Sequence, residues 1–136
     1  MRRVTMVLVA AAALLTLFVP GALARTGCAS SFSGDDRPNT LTGDRCDNEI
    51  NGLGGDDVIR GNGGDDTLSG DGDGDRISGG NGADELRGGP GRDRIYSGAF
   101  DGRRDFVVCG AGRDFASIGE DDRVADDCER VALAIE

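Results

Sequence analysis

The chain has 136 residues with 24 Gly, 25 acidic and 15 basic side chains, and a formal net charge of −10. That balance disfavours nucleic acid and anionic membranes as partners and favours divalent cations. No His is present and neither G-x-S-x-G nor H-E-x-x-H occurs, which removes the commonest general base and argues against a hydrolase.

Arg2 and Arg3 precede an apolar run from Val4 to Val19, followed by Ala22-Leu23-Ala24. A basic start, a short apolar core and an A-x-A site predict a secretory signal peptide over residues 1–24. The run is short for a transmembrane helix, and Arg25 stands where a lipoprotein signal would need Leu before Cys28. Cleavage after Ala24 would leave 112 residues, one small domain, and losing Arg2 and Arg3 would take the charge from −10 to −12. The expected destination is extracellular, with no membrane association after cleavage. The basic residues are all Arg, which together with the Gly and Ala content suggests a high-GC bacterial source.

Residues 25–51 carry a faint nine-residue register and are expected to form an N-terminal cap of degenerate repeats. Gly43–Asn51 has Gly first, Asn48 sixth and Ile50 eighth; Gly34–Thr42 keeps Gly34, Asn39 and Leu41; Arg25–Ser33 keeps only Phe32 at the aliphatic place. Asn39 and Asn48 offer neutral oxygens, either as weak cation ligands or for hydrogen bonds within the turn.

From Gly52 to Tyr96 the register becomes strict: GLGGDDVIR, GNGGDDTLS, GDGDGDRIS, GGNGADELR, GGPGRDRIY. The sixth place is always Asp (Asp57, Asp66, Asp75, Asp84, Asp93) and the eighth always Ile or Leu (Ile59, Leu68, Ile77, Leu86, Ile95). A fixed period of this kind marks a solenoid. The first six places, rich in Gly, Asp and Asn, suit a turn. The last three suit a short extended segment whose eighth side chain points inward while the seventh and ninth point out. Two units make one coil of eighteen residues with turns at both edges, so the predicted fold is an all-β parallel β-roll with two narrow sheets facing each other across an aliphatic row.

Units of like parity stack, which lines up Asp57, Asp75 and Asp93 on one edge and Asp66 and Asp84 on the other, roughly 4.8 Å apart. Like charges at that spacing repel, more strongly where water is scarce. Five aliphatic side chains are also a small core for a Gly-rich stretch whose ordering is costly. A hard cation held by the stacked carboxylates and turn carbonyls answers both problems, and Ca²⁺ suits six to eight oxygens in adaptable geometry better than Mg²⁺ does.

These units resemble the GGxGxDxUx nonapeptide of the RTX, or haemolysin-type, calcium-binding repeats. Gly79, Gly80, Gly82, Asp84 and Leu86 match that pattern, as do Gly88, Gly89, Gly91, Asp93 and Ile95. In the earlier units Leu53, Asn62 and Asp71 replace the second Gly, and Asp73 replaces the fourth. The resemblance implies several Ca²⁺ ions between like-parity turns, held by the side chains of Asp57, Asp66, Asp75, Asp84 and Asp93. It also implies ligands from the turn backbone at Gly61, Gly63, Gly70, Gly72, Gly79, Gly82, Gly88 and Gly91, with Asn48 a weaker contributor.

Residues 97–136 read as degenerate repeats and a C-terminal cap. Asp93 and Asp105 are twelve apart, nine plus an insertion of three; the register then resumes with Asp105 and Val107, Asp114 and Ala116, and Asp122 and Val124 one place early. RRDFVVCGAGRDF and DDRVADDCERV resemble the caps of small secreted actinobacterial repeat proteins of this type. Cys28 and Cys46 are eighteen apart and Cys109 and Cys128 nineteen, each about one coil, so stacking favours disulfides Cys28–Cys46 and Cys109–Cys128 among the three pairings open to four cysteines.

Three functional classes compete. A calcium-binding roll explains both invariant places, whereas a disordered Gly/Asp linker has no reason to repeat an aliphatic every ninth residue. An enzyme would need a catalytic set, and the acids here are better explained as ligands. A structural or adhesive role would use the outward places, but Val58, Arg60, Thr67, Ser69, Arg76, Ser78, Glu85, Arg87, Arg94 and Tyr96 form no regular ladder. The expectation is a secreted, monomeric, non-catalytic calcium-binding protein; a cell-wall or protein partner is left unnamed.

Overall fold

The computed structural model describes Cys28, residues 31–98 and residues 101–134; the expected signal peptide lies outside the described residues. Twelve strands follow in order: β1 (Ser31–Ser33), β2 (Thr40–Thr42), β3 (Glu49–Leu53), β4 (Val58–Gly63), β5 (Thr67–Asp71), β6 (Arg76–Asn81), β7 (Glu85–Gly91), β8 (Arg94–Tyr96), β9 (Phe106–Gly112), β10 (Phe115–Ile118), β11 (Arg123–Val124) and β12 (Arg130–Leu133). Odd strands form one six-stranded sheet and even strands the other. Every pairing is parallel. The result is an all-β parallel solenoid of about six turns.

The aliphatic row fills the space between the sheets. Phe32, Ile50, Leu68, Leu86, Val107 and Val124 stack in register on one side. Leu41, Ile59, Ile77, Ile95 and Ala116 stack on the other, with Val131 in register beyond them but exposed at the end of the roll. Within the repeats the row is fully buried. The register therefore runs from the faint N-terminal units through the tail, and the three-residue insertion is absorbed between β8 and β9, where Glu85 pairs with Phe106.

The strands are longer than the three-residue segments expected. β3 to β7 run on into the first places of the next unit, with the eighth place in, the ninth out and the first in again. The first-place glycine is thus an inward strand position and not part of the turn. No side chain fits there: a Cβ on Gly70 would lie 2.7 Å from Asp75 Cγ and 2.8 Å from the Gly88 carbonyl oxygen.

The second places bend through positive φ, as Gly80 (117°) and Gly89 (110°) do, and so do the fourth places of the first four units, as Gly82 (131°) does. The four departures from Gly keep that conformation: Leu53 at 80°, Asn62 at 79°, Asp71 at 70° and Asp73 at 73°. Left-handed backbone is costly for most residues and tolerated by Asn and Asp. Three of the four also make hydrogen bonds there: Asn62 Nδ2 donates to the Gly43 carbonyl (2.9 Å), and carboxylates of Asp71 and Asp73 accept from Ser69 Oγ (2.7 Å) and the Gly55 amide (3.0 Å). Leu53 is 46% exposed.

Disulfides tie both ends. Cys28 joins Cys46 with Cα atoms 5.9 Å apart, and Cys109 joins Cys128 at 5.0 Å.

Candidate metal centre

The sixth-place Asp enters the body of the roll at the point where the turn meets the strand. Asp57, Asp66, Asp75, Asp84 and Asp93 are buried, and so are Asp105 and Asp114 of the tail. Each is tied to the next coil by its own amide. On one edge Asn39, Asp57, Asp75 and Asp93 donate backbone N–H bonds of 2.7 to 2.8 Å to Oδ1 of Asp57, Asp75, Asp93 and Asp114. On the other edge Asn48, Asp66 and Asp84 donate likewise to Asp66, Asp84 and Asp105. The parity argument thus describes two real rows, and their spacing is bridged by amide-to-carboxylate bonds that hold each Oδ1 in place.

The other oxygen is the informative one. Oδ2 of Asp57, Asp66, Asp75, Asp84, Asp93 and Asp114 is buried with no hydrogen-bond partner. It lies beside the first-place glycine of its own unit, next to a carbonyl from the coil above: Gly70 for Asp57, Gly79 for Asp66, Gly88 for Asp75, Ser97 for Asp84 and Cys109 for Asp93. No basic side chain neutralises these groups; the one ion pair among the described residues joins Arg87 and Glu85, two outward residues of β7. A buried carboxylate with one orphan oxygen must carry a proton or meet a cation.

The energetics follow. Burial raises the Asp66, Asp84 and Asp93 carboxyls to about 6 and those of Asp75 and Asp105 to about 7. Asp57 and Asp114 are raised as well. In every case desolvation is the largest cause, the stacking amide opposes it, and neighbouring acids add to it; for Asp75 those are Asp93, Asp57 and Asp56. Without a cation the ionised rows weaken the fold at neutral pH.

The donors fit a hard cation: carboxylate and carbonyl oxygens, with no thiolate or imidazole. Cys28, Asp44 and Cys46 also cluster, but both sulfurs are used by the disulfide. Asn48 and Asn39 stand at the heads of the two rows, and each Oδ1 accepts an amide of its own turn at 2.8 Å, from Asp44 and Asp35 respectively. Both therefore make the turn hydrogen bond, one of the two roles expected of them. Of the turn glycines, Gly70, Gly79 and Gly88 bring carbonyls beside the orphan oxygens, and the Gly61 carbonyl lies beside Asn48 Oδ1, which already accepts the Asp44 amide. Gly63 and Gly72 donate amides to the carbonyls of Asp44 and Leu53, Gly82 donates to Asp101, and the Gly91 carbonyl accepts the Arg113 amide.

Reasoning from sequence followed Asp105 and Asp114 in register without counting them as site residues, and they belong to the rows. It missed Glu129, whose Oε2 accepts the Asp114 amide at 2.7 Å and ends one row. Asp122, which accepts the Asp105 amide at 2.9 Å, ends the other.

A parallel roll that stacks a buried carboxylate at every turn defines a class of repeat built to hold cations between coils. The model of the RTX calcium-binding nonapeptide repeat (4 copies) matches residues 33–68, 42–77 and 69–103, together more than half of the chain. The chain belongs to this family. No curated protein matches it.

Proposed function

We propose that this protein is a secreted calcium-binding roll that folds around several Ca²⁺ ions and catalyses no reaction. The observation that carries this reading is the set of buried, unpartnered Oδ2 atoms in two rows without a basic counterion. Asp57, Asp66, Asp75, Asp84 and Asp93 would supply the charged ligands, extended by Asp105 and Asp114. First-place carbonyls such as those of Gly70, Gly79 and Gly88 would supply neutral ones. Bound Ca²⁺ would neutralise the rows and replace the missing hydrogen bonds. The proposed division is a signal peptide at 1–24, a cap at 25–51, calcium-binding repeats at 52–96 and a degenerate tail with its cap at 97–136. Extracellular destination is supported by the two disulfides, which persist in oxidising compartments. The cap segments support a small secreted actinobacterial type.

Far-UV circular dichroism tests the reading. The metal-stripped chain at pH 8 is expected to lack most of its β signal, gain it with Ca²⁺, and respond poorly to Mg²⁺. A spectrum unchanged across a calcium titration would refute the proposal.

A further inference from the structure

We propose that the C-terminal end of the roll carries a binding groove for a carboxylated sugar, the acidic unit of a polysaccharide. The groove, about 450 Å³, is lined by Arg92, Arg94, Arg113 and Arg130 together with Phe115. The coil register assembles it. Arg92 and Arg113 each immediately precede a ladder aspartate, and the Arg113 amide donates to the Gly91 carbonyl at 3.3 Å. Arg94, Phe115 and Arg130 pair across β8, β10 and β12 on the outward face.

Four exposed arginines line this groove in a chain with a net charge of −10, yet none has a carboxylate partner at ion-pair distance: the only ion pair among the described residues is Arg87 with Glu85. The groove's own acids are engaged elsewhere. Asp93, Asp114 and Glu129 each give an oxygen to a backbone amide, those of Asp75, Asp93 and Asp114. Four arginines against three carboxylates that are committed to backbone amides leave the groove a positive excess, which an anion between the guanidinium groups offsets.

The chemistry of the walls selects the anion. Guanidinium forks match a carboxylate in two parallel hydrogen bonds. Phe115 is half-buried and braced edge-to-face by Tyr96 at 6.3 Å, leaving apolar surface for the C–H face of a sugar ring. The volume lies within the range of ligand clefts. A long, densely charged strand such as nucleic acid would meet repulsion from the 25 acidic residues of the chain, whereas a short acid sugar confines its charge to the groove.

Calorimetry on the calcium-loaded, disulfide-intact chain tests this with trigalacturonate, a neutral trisaccharide of the same length, inorganic phosphate and a single-stranded oligonucleotide. Trigalacturonate is expected to bind and the neutral trimer not. The R92S/R113S variant should bind about tenfold more weakly or worse, on the scale of lost charge-assisted hydrogen bonds, while keeping its calcium-dependent circular dichroism; Arg87→Ser should bind as the parent does. If the double variant loses that spectrum, Arg94→Lys decides, because it keeps the charge and removes the fork: weaker binding supports the site and unchanged binding overturns it. The proposal is also overturned if trigalacturonate gives no heat with a chain whose spectrum is folded, if R92S/R113S binds as the parent does, or if phosphate or the oligonucleotide binds more tightly than the trimer. The spectrum is read separately, so a failure here is distinct from a failure of the calcium reading.

Discussion

Replacing Asp75 by Asn should change stability in opposite directions with and without calcium. Asp75 is buried, and its carboxyl is raised from 3.8 to about 7, first by desolvation and then by Asp93, Asp57 and Asp56. A carboxyl whose folded pKa is raised favours the fold when protonated: the benefit is complete below the unfolded value near 4 and gone once pH passes about 7. At pH 8, ionised Asp75 therefore opposes the calcium-free fold by on the order of 2 to 4 kcal/mol, the upper figure being roughly three units at 1.36 kcal/mol each and the lower allowing for solvent at the turn. Asn removes that charge. Its carbonyl can still accept the Asp57 amide, now at 2.8 Å, and its Nδ2 would take the place of Oδ2 beside the Gly88 carbonyl. The metal-stripped variant should hence show more β signal than the parent at pH 8. With calcium the sign reverses, because a charged ligand is gone, and the calcium concentration needed for folding should rise. Asp57→Asn should show the same pattern more weakly, since its preceding neighbour in the row is neutral Asn39, and Glu85→Gln, at a half-buried outward place, should show neither effect. Less β signal than the parent in both states, or unchanged calcium demand, would refute the reasoning.

Four further outcomes are expected. Acidifying the metal-stripped chain from pH 8 to pH 5 should increase its β signal, because carboxyls raised to about 6 or 7 take up protons in the folded state first; loss of signal would contradict the burial argument. Leu53→Gly should stabilise the roll by about 1 kcal/mol in denaturant titrations, since Leu53 holds a φ of 80° and is substantially exposed. Gly70→Ala should cost about 2 kcal/mol or more, because its Cβ meets Asp75 and the Gly88 carbonyl, whereas Gly72→Ala, with its nearest atom 3.4 Å away, should cost less than about 1 kcal/mol. Reducing the Cys109–Cys128 bridge, which closes a nineteen-residue separation, should lower stability by about 3 kcal/mol in thermal melts.

The strict period made the fold readable. An invariant aliphatic at the eighth place gives the core row, and parity alone places Asp57 with Asp75 and Asp66 with Asp84. The length of the strands was hidden, because glycine reads as turn. The first-place Gly is instead an inward strand residue whose side chain is excluded by the neighbouring carboxylate, a constraint visible only once the coil above is in place. Asp105 and Asp114 were obscured as row members by the insertion before them. Glu129 was invisible, since one added methylene lets it reach the Asp114 amide from a separation of fifteen residues, outside any nine-residue count. The arginine groove was hidden, because Arg92, Arg94, Arg113 and Arg130 become neighbours only through stacking and a shifted tail register.

The amide-to-carboxylate rows have a direction. Every rung runs from the amide of one coil to the carboxylate of the next coil toward the C-terminus, starting at Asn39 and Asn48 and ending at Glu129 and Asp122. Because consecutive units alternate between the two edges, a nine-residue insertion would lengthen one row and not the other. It would also carry the tail to the opposite sheet, while Glu129 and Asp122, moving with it, keep Asp114 and Asp105 as their partners. An eighteen-residue insertion adds one rung to each row and leaves both ends matched. The length of such a roll can therefore change by a single repeat without unmatching either row, but only a change by pairs keeps the tail on the same sheet relative to the N-terminal cap, much as a thread must advance a full turn to bring its end back to the same side.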